Sequence, residues 1–483
     1  MLQLVLKYFE EIAEIPHGSG NTKKISEYCV NFAKSHGLDF YTDELGNVII
    51  YVPGTEGYQD HPGVILQGHL DMVCDKDLDV EFDFTKDPLK LQYNDGFLSA
   101  TGTTLGGDDG IAIAMCLAIV EADVPHPPLE VVFTVDEETG MYGANGIDAS
   151  QIHYRRLINI DSEEEGVITA GCAGGARLTL TVPMTPELIP DEGDDDDCYR
   201  ITVSGLIGGH SGADIDKGRL NSNVVMGDFL KYLISHEYGI RMISIEGGDK
   251  DNVIPNRTVA SLFAFPDICP AVLDFLADYQ CSTEPDICIS IDKISAPNSL
   301  TDEETGETLV AMYSKDNTDR ILELLGSVPN GITAMSKDIE GLVETSLNFA
   351  SIRTTLDSIK LKFLIRSSVD FEKKVLIAKL QNIAENFRGE TEVDGEYAAW
   401  EYNSDSPLRD KFVSVYEKIN GEKPVVNVIH AGLECGILAD KLSGLDAISI
   451  GPNIIDIHTP RERLDIASTE RTISLLTQVL EEL

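Results

Sequence analysis

Four apolar runs in the first third of the chain each lead into acidic or histidine side chains. The runs VILQGHLDMV, TLGGDDGIAIAM, LEVVFTVDEETG and RRLINIDSEEEG bring to predicted strand ends or helix starts His69, Asp71, Asp108, Glu137, Glu138 and Asp161. Burying an unpaired charge is costly, so successive buried strands have little reason to end in such groups unless a positive species binds there. We therefore predict a site for a pair of metal ions where these ends meet.

Strand and helix patterns alternate over residues 1–172 and resume after about residue 400. This alternation predicts an α/β fold, in which a mostly parallel central sheet flanked by helices carries its site beyond the carboxyl ends of the strands. The composition changes at the Gly-rich stretch GCAGG, near residue 172. We predict a discontinuous catalytic domain that binds two metal ions, residues 1–172 and 400–483, and an inserted α+β lid domain, residues 173–399.

The charge balance is strongly acidic, with 82 Asp and Glu residues against 37 Lys and Arg residues and a net charge of −45. Such an excess repels phosphate backbones and anionic lipid surfaces, so we expect no nucleic-acid partner and no membrane partner. An especially acidic run over residues 191–197 is interpreted as a solvated loop.

The cysteines and the N-terminal segment bear on location. The nine cysteines are scattered and never spaced C-x-x-C, as is typical of a reducing compartment. The segment MLQLVLKYFEEIAEIP predicts an amphipathic helix rather than a signal peptide, and no stretch has the apolar length of a membrane span. A cytoplasmic protein is therefore expected.

Two imidazoles and three carboxylates can supply the ligands of two divalent ions: His69, Asp108, Glu138, Asp161 and His458. If Asp108 is shared, each ion receives one imidazole, one private carboxylate and the shared one, at the spacing of about 3.5–4 Å that suits a hydrolytic pair. Asp71, two residues after His69 on an extended segment, could orient that imidazole. The side chains of the adjacent pair Glu137 and Glu138 point apart, so one could bind metal while the other acts as general base towards a water molecule.

Each of these features also has an ordinary interpretation. A lone HxD step is usually a satisfied polar pair, adjacent acids usually mark a solvated loop, and His458 could cap a turn before Pro460. Four such clusters, each following a strand or opening a helix, favour the metal site over coincidence. His210 in GLIGGHSG could polarise a carbonyl and stabilise its oxyanion, although Gly-rich turns are common. No dinucleotide or phosphate-loop motif occurs, and neither Ser211 nor Cys435 has evident partners for a nucleophile triad.

Seven motifs resemble, in order, those of the M20 metallopeptidases and, more narrowly, their aminoacyl-histidine (Xaa-His) dipeptidase branch: GHLDMV, LGGDDGIA, DEETG, NIDSEEEG, GLIGGHSGADI, HAGLECG and IGPNIIDIHTP. The resemblance spans essentially the whole chain and implies a zinc-dependent dipeptidase with two metal ions, Zn²⁺ or alternatively Co²⁺ or Mn²⁺. It implies that one ion is held by His69, Asp108 and Asp161. The other would be held by Asp108, Glu138 and His458.

The resemblance also implies roles for residues that do not bind metal. Asp71 would be the supporting carboxylate and Glu137 the general base. His210 would stabilise the tetrahedral intermediate from the lid domain, either within its own chain or across a homodimer. Asn252 of NVIP and Arg366 of LIRSS resemble lid residues that bind the substrate and its carboxylate.

The sequence thus leads to the hypothesis of a cytoplasmic metallopeptidase that hydrolyses Xaa-His dipeptides, such as β-alanyl-histidine, and related short dipeptides through a metal-activated water. An aminotripeptidase or N-acyl-amino-acid deacylase on the same scaffold is the alternative among hydrolases. A non-catalytic peptide-binding protein would require a missing base or metal ligand, and every expected residue is present. The expected partners are small dipeptide substrates.

Overall fold

A computed structural model describes residues 1–122, 124–190, 198–279, 283–297, 299–301, 308–337, 339–355 and 357–483. The acidic run at 191–197, for which the sequence predicts a solvated loop, lies outside these residues. The chain divides into two compact units, of which unit 1 comprises Met1–Cys172 with Ala399–Leu483 and unit 2 comprises Ala173–Ala398.

The helices and strands are given in chain order. The first segment of unit 1 contains α1 (Leu2–Ala13), α2 (Lys23–Ser35), β1 (Asp39–Thr42), β2 (Val48–Val52), β3 (Val64–His69), β4 (Leu91–Asn94), β5 (Phe97–Ala100), α3 (Gly107–Glu121), β6 (Leu129–Thr134), α4 (Tyr142–Gly146), β7 (Arg156–Asn159) and β8 (Val167–Cys172). Unit 2 contains β9 (Gly174–Pro183), β10 (Glu187–Pro190), β11 (Cys198–Ser204), β12 (Gly209–His210), α5 (Ser222–Ser235), β13 (Gly239–Gly247), β14 (Val253–Ile254), β15 (Thr258–Phe265), α6 (Ala271–Asp278), β16 (Cys288–Lys293), β17 (Ser299–Thr301), β18 (Thr308–Met312), α7 (Lys315–Ser327), β19 (Gly331–Met335), β20 (Val343–Thr354), β21 (Ser358–Ser367), α8 (Asp370–Asn386) and β22 (Glu390–Tyr397). The second segment of unit 1 contains α9 (Pro407–Asn420), β23 (Val425–Ile429), α10 (Glu434–Lys441), β24 (Asp446–Ser449), β25 (Ile454–Ile455), β26 (Arg463–Asp465) and α11 (Ile466–Glu482). Short 3-10 helices occur at Ala149–Gln151 and Ile215–Lys217.

The central sheet of unit 1 has the strand order β1-β2-β6-β3-β7-β24-β8-β23. Strand β3 pairs in parallel with β6 and β7, β24 with β7, and β23 with β8, whereas the other pairings are antiparallel. Leu66 lies between Val131 and Ile158 in register, and all three are fully buried. Strands covered on both faces are continuous apolar runs, which is why the sequence identifies them. The α/β fold class predicted from the sequence is confirmed.

Helix α3 is buried on every side, and the predicted ligand Asp108 lies in its first turn. Its residues from Ile111 to Ile119 are fully buried, as expected of a helix that is apolar all round. Helix α1 packs against it, and α3 in turn packs on β3. At Gly110, a Cβ atom would lie 3.2 Å from Phe9 Cε2, so glycine allows α1 and α3 to approach closely.

Unit 2 is an α+β structure built on an antiparallel sheet in the order β16-β11-β15-β13-β20-β21-β9-β22, with β19 also paired to β20. Helices α5, α7 and α8 contact this sheet and bury one apolar core with it. The Asn221 side chain caps α5 by accepting a hydrogen bond from the Asn223 N–H at 3.0 Å.

None of the helices in the described part of the chain combines the length and the apolar character that a bilayer span requires.

Candidate metal centre

The predicted metal ligands come from one edge of the unit 1 sheet and from two loops beside it. His69 ends β3, Glu138 follows β6 and Asp161 follows β7. Because β3 pairs in parallel with both β6 and β7, the carboxyl ends of these strands lie at the same edge. Asp108 lies at the start of α3 in a non-helical conformation, and His458 lies on the loop after β25.

The two carboxylate oxygens of Asp108 face two different imidazoles. His69 Nε2 lies 3.0 Å from Asp108 Oδ1 and 3.5 Å from Asp161 Oδ1. His458 Nε2 lies 3.1 Å from Asp108 Oδ2 and 3.0 Å from Glu138 Oε1. Within each of these two groups the ligand atoms are all within 4.8 Å of one another. The structure therefore brings together all five predicted ligands, with Asp108 common to both groups.

The chemistry of these donors fits divalent cations. Imidazole nitrogen and carboxylate oxygen are the ligands that zinc and similar ions take in hydrolytic sites. The side chains of Asp108, Glu138 and Asp161 are at most 9% exposed. Glu138 Oε1 is buried and, although close to His458 Nε2, lacks a partner with hydrogen-bond geometry among the described residues. Three buried carboxylates around two imidazoles call for added positive charge.

The pKa values in the cluster are also shifted because its carboxylates are buried and lie close to the imidazoles. The close approach of the Asp108 carboxylate, followed by that of Glu138, raises the pKa of His458 to about 11. Burial raises the pKa of Asp161 to about 7, and the charge of Asp108 adds to the effect. Burial works against a charged imidazole at His69, yet Asp161 and Asp108 raise its pKa well above the ordinary value. The cluster stabilises positive charge between its carboxylates, which is also what bound cations would supply.

Asp71 supports the site chiefly through the backbone that follows β6. Its carboxylate accepts hydrogen bonds from the Glu137 N–H at 2.9 Å, the Glu138 N–H at 3.3 Å and the Ser19 hydroxyl at 2.8 Å. His69 Nδ1 lies 3.0 Å from the backbone oxygen of Asp71 and 3.5 Å from its carboxylate. The HxD spacing predicts that the carboxylate orients the ring. In the structure both Asp71 groups lie near this nitrogen, the backbone carbonyl at the shorter distance.

Glu137 lies beside the ligands without being one of the five. Burial raises its pKa well above the ordinary value for a glutamate, and the charges of Asp161 and Glu434 add to this. A raised pKa makes a carboxylate a stronger proton acceptor, as a general base must be. Glu137 also forms a third group of possible metal ligands with His69 and Glu138.

The two acids of GGDDG have different surroundings. Asp108 faces the imidazoles, whereas Asp109 Oδ2 accepts a hydrogen bond from the His69 N–H at 3.2 Å. A Cβ atom at Gly68 would lie 2.5 Å from Asp109 Oδ2, so glycine at this strand position leaves room for the carboxylate. Asp109 therefore supports the end of β3.

Sequence reasoning missed Glu434, a fully buried carboxylate behind the cluster. It accepts hydrogen bonds from Gln67 Nε2 at 2.6 Å and from Thr134 Oγ1 at 2.5 Å. Asn159 Nδ2 extends this network by donating to Gln67 Oε1 at 2.6 Å. Burial raises the pKa of Glu434 to about 7. The motif HAGLECG drew attention to this segment, but the partners lie hundreds of residues away and no local pattern reveals them.

The remaining predicted residues lie in unit 2, where His210 has a defined tautomer. His210 lies on β12, opposite Val253 of β14. Its Nδ1 accepts hydrogen bonds from the N–H groups of Gly212 at 3.2 Å and Ala213 at 3.0 Å. Burial, followed by the charge of Arg366, lowers the pKa of this histidine. The neutral ring therefore carries its hydrogen on Nε2, which leaves that atom as a donor.

Asn252 and Arg366 belong to the same part of unit 2. The backbone oxygen of Asn252 accepts a hydrogen bond from the Ser211 N–H at 2.8 Å, next to His210. Arg366 lies on β21 and is 7% exposed, and its Nη1 donates to Tyr397 Oη at 3.2 Å. Its Nε is buried and has no hydrogen-bond partner among the described residues. A buried guanidinium with a spare donor suits a carboxylate ligand.

Comparisons with known proteins identify the family. The model of peptidase family M20/M25/M40 matches residues 65–482. The chain is 34% identical to the cytosol non-specific dipeptidase of Escherichia coli (strain K12), over 98% of this chain and 96% of that protein. It is also 34% identical to the aminoacylhistidine dipeptidase of Vibrio alginolyticus, whose crystal structure matches with a TM-score of 0.87 over 99% of this chain and 96% of the other.

A more distant crystal structure, the aminopeptidase PepT of Bacillus cereus, matches with a TM-score of 0.56 at 15% identity, covering 100% of this chain and 98% of that one, and shares the fold. The family match extends over most of the chain, and the 34% identity to each dipeptidase extends over nearly all of it. The protein therefore belongs to peptidase family M20/M25/M40.

Proposed function

We propose that this protein is a metal-dependent dipeptidase that hydrolyses Xaa-His, such as β-alanyl-histidine, and related short dipeptides. The observation that carries the proposal is the position of Asp108 between two imidazole and carboxylate groups, with Glu137 beside them. The names of the Escherichia coli and Vibrio alginolyticus relatives support dipeptides as the substrate class. The name of the first relative also supports a cytoplasmic location.

In this proposal one ion is held by His69, Asp108 and Asp161, and the other by Asp108, Glu138 and His458. Such ions supply Lewis acidity, which polarises a carbonyl group and makes water a better nucleophile at neutral pH. We favour Zn²⁺, with Co²⁺ or Mn²⁺ as alternatives, since several divalent ions accept these ligands and availability decides which one is bound.

The side chains of the protein perform the proton and charge transfers. Glu137 accepts a proton from the attacking water and later returns it to the leaving amino group, a role that its raised pKa supports. His210 donates its Nε2 hydrogen to the developing oxyanion, either in its own chain or across a homodimer. Arg366 binds the substrate carboxylate through its guanidinium group, and Asn252 contributes a further polar contact to the substrate.

Hydrolysis of three substrates by the purified protein tests this function. β-Alanyl-histidine, a histidine-containing tripeptide and N-acetyl-histidine are each offered to metal-free protein and to protein reloaded with zinc, cobalt or manganese. We expect metal-dependent release of histidine from the dipeptide and much slower turnover of the other two. Faster turnover of the tripeptide would favour an aminotripeptidase, and faster turnover of the acetylated compound would favour a deacylase.

The variant E137Q tests whether the protein is an enzyme or a peptide-binding protein. Removing a general base costs about 10²–10⁴-fold in rate, so we expect turnover to fall by that factor. Calorimetry should still detect two metal equivalents and dipeptide binding, because Glu137 is not one of the five ligands. E164Q, a change at an exposed glutamate of the same unit, is the control and should retain full activity. Undiminished turnover in E137Q would contradict the proposed role.

A further inference from the structure

Glu462 joins the loop that carries His458 to the start of α3. It lies immediately before β26 and is 2% exposed. Its carboxylate faces backbone N–H groups over a run of consecutive residues. Oε2 accepts from Leu105 at 2.9 Å and from Gly106 at 3.2 Å, and Oε1 accepts from Gly107 at 2.7 Å and from Asp108 at 3.4 Å. One buried side chain from the second segment of unit 1 thus holds the backbone that leads into Asp108.

Physical chemistry explains why a carboxylate occupies this position. The first N–H groups of a helix have no partners within the helix, and a carboxylate makes stronger hydrogen bonds to them than a neutral acceptor does. Gly106 has a φ of +67°, a conformation that favours glycine. At Gly107, a Cβ atom would lie 3.1 Å from Glu462 Oε1, so glycine there permits the close contact. The backbone of the LGG sequence therefore fits against the buried carboxylate of Glu462, which lies far away along the chain.

The same loop contacts Asp108 at two places. His458 Nε2 lies 3.1 Å from the Asp108 carboxylate, and Glu462, four residues later, accepts the Asp108 N–H. The other oxygen of that carboxylate faces His69 Nε2 at 3.0 Å. An aspartate has only two rotatable side-chain bonds, so the position of its backbone decides whether both oxygens reach their partners.

We propose that Glu462 is a positioning residue for the shared ligand, holding Asp108 so that one carboxylate oxygen faces each of the two imidazoles that would help to hold the metal ions. The inference rests on the proposed function, because it requires a site with two metals. It predicts that loss of Glu462 weakens both ions together. A change in a private ligand such as Asp161 should instead weaken one ion before the other.

Glu130 provides a matched control. It is 1% exposed, and its carboxylate also gathers backbone N–H groups, from His153 at 3.0 Å and from Tyr154 at 3.2 Å. It lies at the beginning of β6, whereas Glu137 and Glu138 follow the end of that strand. Glu130 Oε1 also lies 2.6 Å from His153 Nδ1. E130Q therefore perturbs a buried carboxylate that anchors loop backbone, without touching the proposed ligands.

The test is a zinc titration of the full-length protein in competition with a chelator, on wild type, E462Q and E130Q. Glutamine preserves the volume but replaces one acceptor oxygen by an NH₂ group, which cannot accept from an N–H. We expect wild type and E130Q to bind two equivalents tightly, and E462Q to bind both about 10–100-fold more weakly, the usual effect of losing a residue that orients metal ligands. Melting temperatures of the metal-free proteins measure the purely structural cost of each substitution.

The outcomes separate the inference from the function on which it rests. Wild type that fails to bind two ions would contradict the proposed function. Wild-type affinity in E462Q, weakening of only one ion, or equal weakening in E130Q would each overturn the positioning role. If E462Q does not fold, E462D is measured in the same way. Its shorter side chain should again weaken both ions together, and unchanged affinity would overturn the inference.

Discussion

The predicted functional residues form two groups of opposite electrostatic character. In unit 1, three carboxylates contact two imidazoles, and Asp108 touches partners that are 39 and 350 residues away along the chain. In unit 2, burial and then the charge of Arg366 lower the pKa of His210. The carboxylates of unit 1 raise the pKa of His69 and His458. The surroundings of His210 in unit 2 lower the pKa of that histidine.

This difference indicates what each group can bind. Clustered buried carboxylates stabilise cations, whereas a buried guanidinium beside a neutral imidazole donor stabilises anions such as a carboxylate or a developing oxyanion. The predicted metal ligands lie at strand ends, at the start of α3 and on the loop after β25, and they contact one another. The side-chain hydrogen bonds of His210 and Arg366 among the described residues are with local backbone N–H groups and with Tyr397. We therefore expect substitutions in the two groups to have separable consequences.

The largest expected effect is that of D108N, which removes the carboxylate common to both halves of the unit 1 group. Metals contribute several kcal/mol to such reactions, and each tenfold of rate corresponds to about 1.4 kcal/mol, so turnover should fall by at least about 10³-fold. Metal analysis should find that both ions are lost. D109N is the control and should retain both, because an asparagine oxygen can still accept the His69 N–H. Loss of metal in D109N but not in D108N would mean that Asp109, rather than Asp108, is the shared ligand.

A smaller effect is expected for H210A in unit 2. Removing one donor to an oxyanion costs about 10²–10³-fold in kcat, so turnover should fall by this factor. The variant should still bind two metal equivalents and melt near the wild-type temperature, since the contacts of His210 with Gly212 and Ala213 are local. Loss of metal from H210A would contradict the expectation that metal binding depends on the unit 1 group and not on His210.

The smallest expected effect is a change in the pKa of His210, which NMR can measure. Burial is the larger cause of its lowered pKa and Arg366 the next, so R366M should raise the pKa only part of the way towards 6.5. R353M, on the neighbouring strand β20, is the control and should leave the pKa unchanged. Because the unfolded chain binds this proton more readily, acidification below pH 6.5 should destabilise the folded state, and less so in R366M. An unchanged pKa in R366M would mean that the two basic side chains are electrostatically independent.

Local patterns explain why the fold class could be predicted. Runs such as VILQGH and LEVVFT are apolar on both faces, and this requires burial in a sheet whichever strands flank them. The order of the strands was beyond prediction. Strand β24, from the second segment of the chain, lies between β7 and β8, and Ile448 pairs with Ile158 almost three hundred residues earlier. Nothing in either short run specifies its neighbour.

The predicted ligand set could be proposed from the sequence because residue type and position beside an apolar run limit what a side chain can do. The hydrogen bonds that hold these residues in position come from tertiary structure alone. Asp71 holds the Glu137 loop through backbone N–H groups, and Glu462 holds the start of α3 in the same way. Any residue except proline offers such an N–H, so a sequence carries no mark of the acid that will accept it. Donor chemistry was thus determined by the amino acids themselves, whereas the geometry that directs Asp108 towards two partners arose only when distant segments packed together.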